Sequence, residues 1–489
     1  MYFSKKLTVG VLAGMVISSG SLLHASGSAN DNANENGVEN SSKNGKNDVP
    51  ENVIVMVGDG MGMGQMEIAS MLEYGKEGEL FIESLEHTGM TSTYSADNNV
   101  TDSAAAGTAI ATGTKTNNGS IGVDEDGNEV DSILDQYQDD GKKVGVISNN
   151  TVTDATPASF TASVADRGSE EDIAEQQYEE KYDVLLGGGG EFFGADEEES
   201  EDRLVDDFQE SGYEYATTEE ELEEAGTPDK LLGLFNDSYM NYKTDKDDVD
   251  SEEPSLQAMT ESGLDVLSQD DDGFFMMVEG ARIDHAAHAA DATGVWQEMI
   301  EFDQTVEQVV TWAEDRDDTL VVVLSDHETL GMSATETMDV DGLKDIEVSP
   351  EYMAQQLETR EDSDQYTDES IQQVFSEYAN IDITDEELEA FRANIEDDEG
   401  EVYPEYQVGW EIGSIIADHY GVGALDTEIR AESDTGGHTG EMVPLFATGA
   451  GSENFTGYMD NTDIKGLIEE ASAEQTGSGK ENGRGHGNN

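Results

Sequence analysis

Several stretches of this chain are apolar at every position instead of at alternating positions. Val53–Val57 reads VIVMV, and Leu320–Leu324 reads LVVVL. A strand with apolar side chains on both faces has to be covered on both faces, as in a parallel sheet packed between helices. Helical patterns separate the runs, so an α/β layer fold is expected. The predicted strands are Asn52–Val57, Lys143–Ser148, Asp183–Leu186, Gly273–Val278, Thr319–Leu324 and Val443–Thr448.

The charge of the chain limits what it can bind. Its 489 residues include 23 Lys plus Arg and 111 Asp plus Glu, a formal net charge of −88. A protein that binds nucleic acid or an anionic membrane surface needs basic patches, so neither partner is expected. High acidity would also fit a disordered chain, but disordered acidic chains lack dense apolar runs. Cysteine is absent, which excludes disulfides, a thiolate nucleophile and cysteine-ligated metals.

The two ends of the chain are predicted to lie outside the folded domain, which would span residues 49–475. Residues 1–25 contain two lysines, an apolar stretch and then small residues, which is the pattern of a secretory signal peptide. An exported protein, periplasmic or extracellular, is therefore expected. Residues 26–48 and 476–489 are rich in Asn, Ser and Gly and are predicted to be a flexible leader and a flexible tail.

One segment inside the folded domain differs from the rest. Residues 333–434 carry little strand signal. Thr384 and Glu387 have the spacing of a capping box, and Leu388, Phe391 and Ile395 share one helical face. A largely helical insertion is predicted, which would form either a crown-like lid or a dimer contact.

Carboxylates and imidazoles recur next to the predicted strands, where ligands bind in open α/β sheets. Four of the 8 histidines fall in these places. Asp284 and His288 are four residues apart, so they would share one face of a helical turn and, with one more imidazole, could hold zinc. A single Asp–His pair is more often a surface salt bridge, but that explanation does not suit the whole set. The set is Asp59, Glu279, Asp284, His285, His288, Asp326, His327 and His438.

A run of small residues surrounds Ser103. The segment Val100–Thr108 reads VTDSAAAGT, which predicts a loop entering a helix with Ser103 near the helix N-terminus. The positive end of the helix favours an anion there, and small neighbours allow a ligand to approach. The Gly-x-Ser-x-Gly turn of many serine hydrolases is absent, so activation of the serine by a metal is favoured over activation by histidine.

These segments together resemble the alkaline phosphatase family. Val100–Thr108 matches the family's nucleophile signature at every position. The resemblance implies a three-layer sandwich with a central, mostly parallel sheet, and hydrolysis of phosphate monoesters to an alcohol and inorganic phosphate. The other segments that carry it are Asn52–Gln65, Asp154–Ala158, Gly187–Phe193, Gly273–His288, Asp326–Thr329 and His438–Gly440.

The resemblance also implies a role for each site residue. Ser103 would form a phosphoserine that a zinc-bound hydroxide hydrolyses, and Arg167 would bind the phosphate. Two zinc ions and one magnesium ion per subunit are implied. The first zinc would be held by Asp284, His288 and His438, and the second by Asp59, Asp326, His327 and Ser103. Magnesium would be held by Asp59, Thr156 and Glu279, with Asp154 on a magnesium-bound water.

Some positions depart from the family pattern or leave alternatives open. His285 stands where some members carry Lys; it would contact phosphate through water, or simply pack behind the metal ligands. Asp102 would orient Arg167. The resemblance implies a homodimer, and the acidity resembles that of a halophile's protein. A phosphodiesterase or sulfatase with the same fold, and a non-enzymatic acidic cation-binding protein that is exported, are the rival functions.

Overall fold

The structure is a computed structural model that describes residues 49–76, 78–195, 203–360, 363, 365–396 and 400–473. The predicted signal peptide (1–25), leader (26–48) and tail (476–489) lie outside the described residues. No helix in the described part is both long enough and apolar enough to cross a membrane.

The strands are β1 (Asn52–Gly58), β2 (His87–Ser92), β3 (Lys143–Thr151), β4 (Val184–Gly188), β5 (Glu214–Ala216), β6 (Leu231–Leu234), β7 (Phe274–Gly280), β8 (Thr319–Leu324), β9 (Glu328–Thr329), β10 (His438–Thr439), β11 (Val443–Gly449) and β12 (Gly457–Asp460).

The α-helices are α1 (Met63–Tyr74), α2 (Ser103–Thr112), α3 (Ile133–Asp139), α4 (Ala155–Thr161), α5 (Glu170–Glu180), α6 (Leu204–Glu210), α7 (Glu219–Ala225), α8 (Leu256–Leu267), α9 (Arg282–His288), α10 (Ala292–Ala313), α11 (Val340–Lys344), α12 (Pro350–Gln355), α13 (Asp368–Tyr378), α14 (Asp385–Asn394), α15 (Glu405–Tyr420), α16 (Thr427–Ala431) and α17 (Asp463–Ser472).

A ten-stranded sheet runs through the described residues in the order β12-β2-β11-β8-β1-β7-β3-β4-β6-β5. Only β11 is antiparallel to its neighbours, β8 and β2, and the other pairs in this sheet are parallel. The predicted α/β fold with a mostly parallel central sheet is confirmed. The sequence missed β2, β5, β6 and β12 of this sheet, because β2 mixes polar and apolar residues and the other three strands are only three or four residues long.

The apolar runs are buried on both faces of the sheet, as their composition predicts. In β1, Val53, Val55 and Val57 pack in one hydrophobic core, while Ile54 and Met56 pack in another on the opposite face. Helices cover both cores, with α3 and α17 on the first side and α1, α8 and α10 on the second. This arrangement is the three layers expected of the fold.

The register of the central strands brings the site residues together. Val57 of β1 pairs with Glu279 of β7 on one side and with Leu324 of β8 on the other. The carboxyl ends of these parallel strands therefore meet at one edge of the sheet. Residues just beyond them, such as Asp59 and Asp326, emerge at that edge.

The segment 333–434 forms helices α11 to α16 in its described residues. The capping box is present, since the Glu387 backbone N–H donates to Thr384 Oγ1 at 3.2 Å and the Thr384 N–H donates to the Glu387 carboxylate at 2.7 Å. Leu388, Phe391 and Ile395 are buried in the core that also covers one face of the sheet. The helical character is confirmed, and the role as a lid or dimer contact stays a prediction.

Candidate active site

The first cluster of candidate metal ligands joins α9 to β10. Asp284 and His288 lie one turn apart on α9, and His438 begins β10. The ligand atoms of the three residues lie within 4.8 Å of one another. His288 Nε2 is 3.2 Å from Asp284 Oδ2 and 3.1 Å from His438 Nε2. Two imidazole nitrogens and a carboxylate that converge in this way match the donor set of a zinc site.

The second cluster lies where β1 and β8 end. The ligand atoms of Asp59, Asp326 and His327 also lie within 4.8 Å of one another. His327 Nε2 is 3.3 Å from Asp59 Oδ1 and 3.2 Å from Asp326 Oδ2. Both oxygens are buried, yet neither accepts a hydrogen bond from the described residues. Buried oxygens without partners are costly unless a cation or water satisfies them, so this cluster fits a metal ion.

A glycine lets the two clusters approach each other. Gly60 has φ +69°, and a Cβ atom there would lie 2.9 Å from Asp284 Cα. Its N–H donates to Asp326 Oδ1 at 3.2 Å. Because a side chain at this position would collide with α9, glycine allows the β1–α1 turn to run between the clusters.

Hydrogen bonds fix which ring nitrogen each histidine offers to its cluster. His288 Nδ1 lies 2.9 Å from the Gly436 carbonyl, and His438 Nδ1 lies 3.0 Å from the Thr101 carbonyl. A carbonyl can only accept, so both Nδ1 atoms carry the proton. In the neutral ring, Nε2 therefore keeps the lone pair that binds a metal, which is the usual orientation of metal-ligating histidines.

Thr156 and Glu279 form a third candidate position, suited to magnesium. Glu279 Oε2 accepts a hydrogen bond from Ser148 Oγ at 2.5 Å. Glu279 Oε1 and Thr156 Oγ1 are buried without a hydrogen-bond partner. Oxygen donors of this kind are those that Mg²⁺ prefers. Asp154 precedes α4 nearby, and its Oδ2 accepts from Asn150 at 3.0 Å.

The acidic groups of the site cannot all ionise on their own. Burial, reinforced by the Asp326 charge, raises the pKa of Asp59 well above its usual value. Burial likewise raises the pKa of Glu279 well above its usual value, and that of Asp326 to about 7. Burial would also raise the pKa of Asp284, but His288 outweighs it and holds that pKa well below normal. Cations at the clusters would allow all of these carboxylates to ionise together.

Ser103 is the first residue of α2 and faces the second cluster. Its Oγ is 3.1 Å from His327 Nε2, the same nitrogen that faces both carboxylates of the cluster. The neighbouring Asp102 caps the helix by accepting from the Ala105 N–H at 3.0 Å. The predicted loop-to-helix position of the serine is therefore present, with the hydroxyl beside a candidate metal site.

Arg167 lies on the loop between α4 and α5, and its side chain reaches the site. Its guanidinium is 3.3 Å from Asp102 Oδ2 and 3.2 Å from Asp154 Oδ1. Partial burial would lower the pKa of Arg167, but Asp154 and Asp102 outweigh it and raise that pKa. The expected contact between Asp102 and Arg167 is present, and it aims a permanently charged group at the cavity.

A cavity of about 680 Å³ connects these groups to solvent. Ser103, Arg167, His285 and the first metal cluster line it. Four residues of the insertion also line it, and the sequence did not assign them to the site. They are Glu351, Tyr406, Trp410 and Asp434.

His285 belongs to neither cluster of candidate metal ligands in the described residues. Its Nδ1 contacts Nη1 of Arg282, and its ring lies 5.2 Å from that of Tyr239. Burial, with the Arg282 charge, lowers the pKa of His285 to about 3. Arg282 is not among the predicted site residues, although it lies between Glu279 and Asp284 in a chain with only 23 Lys plus Arg.

The chain matches the alkaline phosphatase family over residues 50–473. It is 33% identical over 434 residues to alkaline phosphatase 4 of Bacillus subtilis, covering 85% of this chain and 87% of that protein. The chain belongs to the alkaline phosphatase family. It is therefore an enzyme, a phosphoric monoester hydrolase.

Solved structures of this family share the fold. The Thermus thermophilus alkaline phosphatase superposes with a TM-score of 0.76 at 30% identity, covering 86% of this chain and 91% of that chain. A mutant alkaline phosphatase from the Antarctic bacterium TAB5, solved with Mg bound, has a TM-score of 0.61 at 27% identity, covering 87% of this chain and 98% of that chain. Together with the ligand clusters, the family membership indicates that divalent metals bind here.

Proposed function

We propose that this phosphatase transfers the phosphoryl group of a monoester to Ser103 and then to water, with two Zn²⁺ and one Mg²⁺ bound per subunit. The observation that carries the proposal is the position of Ser103 Oγ, 3.1 Å from the nitrogen of His327 on which Asp59 and Asp326 also converge. A nucleophile in that position shares a cation with the three ligands.

The residues fit the ions as follows. Asp284, His288 and His438 would hold one zinc ion. Asp59, Asp326, His327 and Ser103 would hold the other zinc ion. Asp59, Thr156 and Glu279 would hold the magnesium ion, and Asp154 would bind one of its waters. When bound, the metals lower the pKa of the serine hydroxyl and of the attacking water, supply hydroxide near neutral pH and neutralise charge on the leaving oxygen.

The chain's own residues position the phosphoryl group. The Ser103 hydroxyl gives up its proton to solvent, its Oγ attacks phosphorus, the bond from phosphorus to the leaving oxygen breaks, and the leaving oxygen takes up a proton from solvent as it departs as alcohol. Arg167 donates paired N–H groups to two phosphoryl oxygens, which a lysine could not match. Asp102 and Asp154 hold the guanidinium between them. Water then cleaves the phosphoserine, which restores Ser103 and releases inorganic phosphate.

The contact between Ser103 and His327 also invites comparison with a serine–histidine hydrolase. In such an enzyme the histidine accepts the serine proton, and its other nitrogen is oriented by a carboxylate. Here two carboxylates crowd the nitrogen that faces the serine, and the other nitrogen lies 3.3 Å from the Thr329 hydroxyl. This arrangement favours a metal ligand over a general base.

We also propose that the protein is exported by its N-terminal segment, acts outside the cytoplasm and forms a homodimer. The signal-like pattern of residues 1–25 supports export. The net charge of −88 supports adaptation of the surface to high salt. N-terminal sequencing of the secreted protein tests export, and measurement of the molecular mass in solution tests the homodimer.

The function is tested by trapping the intermediate. The enzyme is mixed with a chromogenic phosphate monoester, quenched in acid, digested and mapped by mass spectrometry. We expect one phosphoryl group on Ser103, and none in Ser103→Ala, which should lose its metal-dependent activity. Ser159→Ala is the matched control, because that buried hydroxyl bonds backbone carbonyls of its own helix and of α2, lies 3.5 Å from the Thr108 hydroxyl and does not line the cavity.

Two further arms separate the rival functions. EDTA should abolish turnover, and Zn²⁺ plus Mg²⁺ should restore it. The monoester should be preferred over a diester and a sulfate ester with the same leaving group. Full activity in Ser103→Ala, or absence of activity with metals restored, contradicts the proposal.

A further inference from the structure

The histidines of the active site differ in what their Nδ1 atoms face. In His288 and His438, Nδ1 faces a backbone carbonyl, so Nδ1 carries the proton and Nε2 is a lone pair. In His285, Nδ1 contacts a guanidinium nitrogen of Arg282. Arginine has five N–H donors, has no acceptor and does not lose its proton in proteins. His285 Nδ1 must therefore be the acceptor, and the proton of this ring lies on Nε2.

The Nε2–H of His285 is available to a ligand in the cavity. Among the described residues, the ring's one protein hydrogen bond is made by Nδ1. His285 lines the same cavity as Ser103 and Arg167, where the phosphoryl group would lie. A donor in that place suits a phosphoryl oxygen, whereas a ring in the other tautomer would offer a lone pair to an anion.

Arg282 is held firmly enough to impose this choice. Its side chain is only 2% exposed. The guanidinium carbon lies 3.6 Å from the centre of the Tyr242 ring and 4.5 Å from that of Tyr239. Its other terminal nitrogen is 3.5 Å from the carboxylate of Glu351, which belongs to α12 of the insertion. Cation–π contacts on two rings and an ion pair leave the guanidinium little freedom.

We propose that Arg282 is a positioning residue that fixes His285 in the Nε2–H tautomer, so that His285 donates a hydrogen bond to a phosphoryl oxygen, directly or through one water. Glu351 makes the insertion part of this arrangement. The inference rests on the proposed function only for the identity of the ligand, a phosphoryl group at Ser103.

The tautomer is measured directly on the metal-loaded enzyme. With ¹⁵N-labelled histidine, the ring nitrogens of His285 are assigned by comparison with His285→Gln. We expect a protonated Nε2 and an unprotonated Nδ1 in the wild-type enzyme, and the opposite tautomer or a mixture in Arg282→Met. A proton on Nδ1 in the wild-type enzyme overturns the proposal, and this measurement needs no variant of Arg282 to fold.

The consequence for phosphate binding is measured by a double-mutant cycle. Inhibition by inorganic phosphate should weaken about tenfold in Arg282→Met and in His285→Ala, since in each variant the charged phosphate loses the hydrogen bond from His285. The double variant should be no weaker than His285→Ala, because Arg282 acts through His285. Additive losses, about a hundredfold together, contradict the proposal.

A control variant separates this effect from a general loss of positive charge. Arg392→Met removes an arginine of the insertion that pairs with Asp368 and does not line the cavity. It should leave phosphate inhibition unchanged. If Ser103→Ala keeps full activity while His285 has the expected tautomer, the proposed function fails and the assignment of Arg282 as the group that fixes the tautomer stands.

Discussion

One hydroxyl connects the two candidate zinc sites, and its removal should weaken both. Thr329 Oγ1 donates to Asp284 Oδ1 of the first cluster at 2.5 Å. The same oxygen lies 3.3 Å from His327 Nδ1 of the second cluster. A hydroxyl has one proton, so once it donates to Asp284 it can only accept from His327. This contact places the His327 proton on Nδ1 and leaves Nε2 free for a metal.

The size of the effect follows from burial. Asp284 is 5% exposed and His327 is fully buried, so water cannot replace the lost hydroxyl in Thr329→Val. A hydrogen bond to a charged group contributes about 1.5–3 kcal/mol, and loss of such a supporting contact weakens metal binding about 10–100-fold. We expect a loss of this size in zinc affinity at both sites, because valine has the shape of threonine but no proton to donate.

The assay is zinc competition against a chromophoric chelator, with bound zinc counted by elemental analysis. Thr329→Ser keeps the hydroxyl and should bind zinc nearly as well as the wild-type protein. Thr305→Val is the matched control, because that buried hydroxyl donates to the Glu301 carbonyl within α10. If Thr329→Val holds both zinc ions with wild-type affinity, the bridging role of this hydroxyl is wrong.

Three other predictions follow from charge and capping. Burial raises the pKa of Asp291 to about 7, so the folded protein keeps this proton above the unfolded pKa of about 4, and stability is lost as the pH rises through 7. In Asp291→Asn the unfolding free energy, measured by denaturant titration, should therefore fall less than in the wild-type protein between about pH 5 and about pH 8, by roughly 1–3 kcal/mol. An equal fall in the variant and the wild-type protein would refute this prediction. Raising NaCl from about 0.1 M to about 1 M shortens the Debye length from about 10 Å to about 3 Å, so kcat/KM for an anionic monoester should rise in a protein of charge −88; a flat or falling value on folded enzyme counts against this. Thr384→Ala removes the cap of α14 and should lower the unfolding free energy by about 1 kcal/mol. An unchanged unfolding free energy would contradict this prediction.

Much of the fold follows from the apolar runs. Runs such as Val53–Val57 can bury all of their apolar side chains only between two layers of helices, and the strands form where the runs occur. The order of strands in the sheet does not follow from the runs, because pairing of distant segments depends on packing across the whole domain. The reversed direction of β11 is likewise a tertiary property with no signal in its own residues.

The site residues were predictable where chemistry and sheet geometry coincide. Asp59 and Asp326 follow strands whose ends meet, so their proximity was expected. Arg167 was placed by resemblance alone, since no local pattern brings a loop arginine to Ser103. Arg282 and Glu351 were missed because the contact between them joins α9 to the insertion, and nothing in either segment points to the other.

Diffraction from metal-loaded crystals at the zinc absorption edge shows whether the two clusters beside Ser103 bind zinc. We expect two strong anomalous peaks per subunit, one among Asp284, His288 and His438 and one among Asp59, Asp326 and His327, with Ser103 Oγ within bonding distance of the second. An absence of anomalous density at both clusters in crystals grown with zinc, or a zinc ion bound elsewhere while Ser103 keeps its contact with His327 alone, would contradict it.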